Sequence, residues 1–157
     1  VTISDAAPHN WNPRATFPGE GDAAPDLLGV ESSIDFAIGP EASPKEAMER
    51  AGAMVSLSLP RFLEETPGAT DTCAAVQAVL AELVDVTARH KAGLDLVARI
   101  AFDGAHVTVS VGDMDCPLPA AAEEPGLYLV HRVASDVGQH VGDNGGRVTW
   151  AAIPVQT

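Results

Sequence analysis

Apolar positions along this chain recur at every second residue, then at helical spacing, then at every second residue again. Over 32–38, Ile34, Phe36 and Ile38 alternate with Ser33, Asp35 and Ala37, which predicts a half-buried strand. Ser43-Pro44-Lys45-Glu46 follows: a capping serine, a proline at the first helical position, and a glutamate three residues after the cap. In such a box the two side chains satisfy, reciprocally, backbone N–H groups that the helix start leaves without partners. Met48, Ala51, Val55, Leu59, Phe62 and Leu63 then fall on one stripe. Pro60 is expected to kink or split this helix, since it offers no N–H to Ser56, and Thr66-Pro67-Gly68 to end it.

A second helix is predicted over 71–91, with Ala75, Val79, Leu80, Leu83, Val86 and Thr87 on its buried face. Arg89, His90 and Lys91 complement the dipole in its last turn, and Gly93 suits a left-handed C-terminal position. From Leu94 the period returns to two through Leu96, Ala98, Ile100 and Phe102. Asp103-Gly104 makes a hairpin turn, and Val107, Val109 and Val111 continue the buried face. A Pro- and Ala-rich loop is expected over 114–125 and a short helix over 126–137, with Leu127, Val130, Val133 and Ala134 inward. Two last strands flank the turn Asp143-Asn144-Gly145-Gly146, the second carrying Val148, Trp150 and Ala152. The order strand, helix, helix, hairpin, helix, hairpin predicts an α+β fold, a two-layer α/β sandwich with a mostly antiparallel sheet and helices on one face.

Residues 1–31 are set apart from this domain, which spans 32–157. Pro8, Pro13, Pro18 and Pro25 interrupt every window there, and the charge is mostly acidic. A loosely ordered extension is expected, with Trp11 and Phe17 as its anchoring candidates. Across the chain, 9 basic side chains face 22 acidic ones, a formal charge of −13. That balance argues against nucleic acid and anionic membrane as partners, because both attract Lys and Arg. No apolar run is long enough for a membrane span and no signal-peptide pattern opens the chain, so the expected location is the cytoplasm. Cys73 and Cys116 lack metal-type spacing, and His90, His106, His131 and His140 form no ligand pattern; the expectation is no metal site. Acidic neighbours disfavour a Cys116 thiolate.

Four segments in order carry a resemblance. They are Glu82-Leu83-Val84-Asp85-Val86-Thr87-Ala88-Arg89-His90, Val111-Gly112-Asp113-Met114-Asp115, Gly126-Leu127-Tyr128-Leu129-Val130 and Gly146-Arg147-Val148-Thr149-Trp150. Together they resemble the Bergerat-fold (GHKL) ATPase superfamily, and within it the anti-sigma-factor serine kinases, over about residues 32–155. The resemblance implies a nucleotide cleft holding ATP and magnesium between the second helix and the loop after the hairpin. Its candidate residues are Glu82, Val86, Asp113, Asp115, Gly126 and Leu127.

Position by position, the chain departs from what phosphoryl transfer needs. Glu82 matches the family's general base, while Val86 stands where an asparagine ligates magnesium, and an isopropyl group cannot bind a hard cation. Asp85 points about 100° away around the helix. Asp113 matches the adenine-reading aspartate; it either keeps that role or closes the strand and caps the loop. Asp115 replaces a glycine that lets backbone approach the base, and Gly126 alone remains of the pair closing over the phosphates. The flap has no Lys or Arg but does have Glu123 and Glu124. One carboxylate about 5 Å from a phosphate charge costs on the order of 3 kcal/mol at an effective dielectric of about 20.

The reading is therefore a degenerate GHKL-type regulatory domain, a pseudokinase in transcription regulation with no cofactor. It meets a protein partner, a sigma factor or STAS-type antagonist, and the resemblance implies a homodimer. The alternative is an ATP-dependent anti-sigma-factor serine/threonine kinase whose magnesium is held by Asp85 or Asp115. A second alternative turns the cleft over to another small molecule.

Overall fold

The computed structural model describes residues 32–38, 43–64, 66–92, 96–142 and 145–155. The extension 1–31, Gly93, Leu94, Asp143 and Asn144 lie outside them. Strand β1 (Ser32–Ala37) leads to helices α1 (Pro44–Phe62) and α2 (Ala69–Arg89). The hairpin β2 (Val97–Phe102) and β3 (His106–Met114), helix α3 (Gly126–Val133), and strands β4 (Asp136–Val141) and β5 (Arg147–Pro154) follow. The fold is α+β: a five-stranded antiparallel sheet, in the order β1-β2-β3-β5-β4, with the described helices over one face.

Register determines which residues face those helices. Phe36 pairs with Ala98, Ala98 with Val111, Ile100 with Val109, Val109 with Ala151 and Ala151 with Val137. Side chains alternate across a strand, so this set shares one face. Helix α2 lies on β3 and β5 and is flanked by α1 and α3. Its Val76, Val79, Leu80, Leu83 and Val86 meet Ala51, Val55 and Leu59 of α1 and the inward strand residues in one buried cluster. On β5 the helix-facing set is Thr149, Ala151 and Ile153, while Trp150 is buried on the opposite face.

The capping box forms as the sequence predicts: Glu46 N–H donates to Ser43 Oγ at 3.1 Å and Ser43 N–H to Glu46 Oε1 at 3.0 Å. At the β2–β3 turn, Ala105 and His106 N–H both donate to Asp103 Oδ1, and Gly104 takes φ 96°, a left-handed value that suits glycine.

Three expectations change. Helix α1 is not split at Pro60 but runs through it to Phe62. Pro60 lies near the end, where the missing N–H costs one bond to Ser56, and continuing buries Leu59 and Leu63. Helix α2 starts at Ala69 and ends at Arg89, with His90 its C-cap, its N–H donating to Thr87 O. Helix α3 stops at Val133, four residues before the predicted end. Val137 sits at helical spacing from Val130 and Val133, but pairing of Asp136–Val141 with β5 claims it for the sheet.

Candidate functional site

At the C-terminal end of α2, the helix is fastened to the end of β3. Lys91 and Met114 form an antiparallel bridge, Ala92 N–H donates to Asp113 O, and Asp115 N–H donates to His90 O, both at 2.9 Å. The loop 115–125 then runs back over α2 and the sheet to α3. Segments 82–90 and 111–115 therefore meet at this end of α2.

Glu82 and Gly126 are brought together. A Cβ on Gly126 would fall on the Glu82 carboxylate, so a larger residue at the start of α3 would require that side chain to swing aside. Val86, one turn on from Glu82, is only 1% exposed and belongs to the hydrophobic core. Leu127 is also buried in that core. A magnesium ligand at position 86 would thus have to face packed hydrocarbon.

Asp113 is placed elsewhere. Val111 pairs with Thr149 but Met114 with Arg147, so β3 carries one extra residue between these pairs. The bulge turns Met114 inward, where it is fully buried, and leaves Asp113 against the β4–β5 turn. There a Cβ on Gly146 would meet the Asp113 side chain, and one on Gly142 would lie 3.2 Å from its Oδ1.

The inward space is filled by Gln139, Thr149 and Met114. Gln139 Nε2 donates to Thr149 Oγ1 at 3.0 Å, and Thr149 Oγ1 donates to Met114 Sδ at 3.3 Å. Leu118 N–H donates to Gln139 Oε1 at 3.0 Å, which ties the loop to the sheet. Cys116, Leu118 and Ala121 pack against the core from that loop. Gln139 and Thr149 satisfy each other in a buried setting, where an unpartnered amide would be costly.

Arg89 closes the outer side. Its guanidinium holds Glu124 through two hydrogen bonds, Nη1 donating to Oε2 at 2.9 Å, and it donates to Asp85 Oδ2 at 2.9 Å. These bonds hold the Glu124 carboxyl below the usual carboxylate range. Arg89 is one cation shared by two carboxylates, so the cluster of Asp85, Arg89 and Glu124 keeps a net charge of −1, which still opposes a phosphate there. Sequence reasoning missed Arg89, Gln139 and Thr149. Arg89 and Glu124 are 35 residues apart and follow no local period.

These residues do not fit a magnesium triphosphate. The metal position is an apolar side chain, Asp85 accepts from Arg89, and Asp115 is exposed beyond the helix end. No protein-family model matches the chain, and no curated protein matches it.

Proposed function

We propose that this chain is a GHKL-type regulatory domain that has lost phosphoryl transfer and acts by protein–protein contact, as an anti-sigma factor or partner-switching regulator. What supports the loss is the packing around position 86 and beneath the flap, which we read as a filled cleft. Val86 is packed in the core, Gln139 and Thr149 occupy the inward end of the sheet, and Leu118 draws the flap onto them. With no magnesium ligand at position 86 in this reading, what remains is a surface.

The chain is strongly acidic, at −13 overall. A field of that sign accelerates encounter with a basic partner and disfavours acidic competitors. The regulator works in the cytoplasm in this reading, and its homodimer rests on the family resemblance. The test is to mix the purified protein with candidate sigma factors and STAS-type antagonists and follow co-elution at low and high salt. A complex that weakens as salt rises is the expected outcome; association with none of them removes the proposal.

A further inference from the structure

The fastening of α2 to β3 has a second result, independent of the nucleotide cleft. It brings His90, Asp115 and Cys116 together, with one donor atom from each within 4.8 Å of the others. An imidazole nitrogen, a carboxylate oxygen and a sulfur are the ligand types of zinc, and the sulfur is wrong for magnesium or calcium, which take oxygen. We propose that His90, Asp115 and Cys116 bind a zinc-class transition-metal ion through three protein ligands, leaving one position for water.

Geometry supports this in three ways. Donor atoms around a tetrahedral zinc are about 3.5 Å apart, given metal–ligand distances of about 2.0–2.3 Å, so the side chains need to close by roughly an ångström. That movement is small for side chains whose backbones are pinned by the Asp115 N–H to His90 O bond and the Lys91–Met114 bridge. The Nε2 of His90 is buried and has no hydrogen-bond partner, an unsatisfied state that coordination by His90 would allow it to leave. Glu124 Oε2 is 3.8 Å from that nitrogen, too far for a hydrogen bond. Asp115 is exposed, which gives an ion a way in.

The spacing of these residues predicts nothing of the kind, because 25 positions separate His90 from Asp115 and only the tertiary fold joins them. Burial first, and then Asp115, push the Cys116 thiol up. Metal binding must therefore expel its proton, as for any thiolate ligand.

The test titrates Co²⁺ into the chelator-stripped full chain and records its electronic spectrum. One Co²⁺ per chain is expected, with a thiolate-to-cobalt charge-transfer band that Zn²⁺ abolishes and Mg²⁺ leaves unchanged. Cys116→Ser should remove the band, His90→Gln should weaken binding at least about tenfold, and Cys73→Ser should change nothing. Zn²⁺ should also slow alkylation of Cys116 but not of Cys73 in the unmutated chain, read by mass spectrometry, a result that needs no variant to fold. No band at millimolar Co²⁺, a band that survives Cys116→Ser, or alkylation of Cys116 indifferent to Zn²⁺ would each overturn the site.

Discussion

The two ends of α2 are built on different principles. Through its first turns and middle, Val76, Val79, Leu80 and Leu83 meet α1 and the strands in a contact made of hydrocarbon. At its last turn, Arg89 binds Asp85 and Glu124, His90 stands beside Asp115 and Cys116, and Gln139 and Thr149 bond one another beneath the loop. The apolar end supplies stability and would tolerate many similar side chains. The polar end supplies position, since each hydrogen bond requires a particular partner at a particular distance.

The comparison breaks most sharply at Leu80, which is about 1% exposed. Leu80→Ala should cost about 2–5 kcal/mol through lost burial and the cavity left behind. Denaturant unfolding should show the midpoint fall with no change in slope. Next in size is Val86→Asn, which places there the asparagine that the proposed GHKL reading would expect at a magnesium site. In a packed apolar setting the amide should cost about 2–3 kcal/mol, and it should confer no magnesium-dependent ATP binding.

A smaller effect is expected at the polar end. Arg89→Met keeps the stem but releases Glu124 and Asp85, and since Arg89 is more than a third exposed the cost should be about 1 kcal/mol or less. Its clearest readout is faster amide exchange across 115–125, with wild type approaching the variant as salt rises. The pH dependence is smaller still and its sign is fixed. Glu124 has a folded-state pKa below its ordinary 4.5. Its contribution is thus complete above that ordinary value and lost as pH falls through the lower one. Wild type and Arg89→Met should differ near neutrality and converge in strong acid.

The same division explains what was legible in the sequence. Ser43 and Glu46 announce their box because capping is local. The alternation through Ala98, Ile100, Val107, Val109 and Val111 announces the hairpin because one face of it is buried. Val137 misled because helical spacing and strand pairing both accept it, and only β5 decides. The bulge that exchanges Met114 for Asp113 on the inward face has no signature in residue types, so alternation alone does not say which of the two turns inward. Gln139 lies outside the four resembling segments and Thr149 is only a strand position in one of them; they matter because two strands and a loop converge on them.

The filled cleft is the central claim, and calorimetric titration of the full chain with Mg-ATP tests it most directly. Its prediction is no heat of binding up to millimolar nucleotide. Saturable, magnesium-dependent binding in the micromolar range would contradict it, because the space between Glu82, Gln139 and the flap would then have to open for a triphosphate.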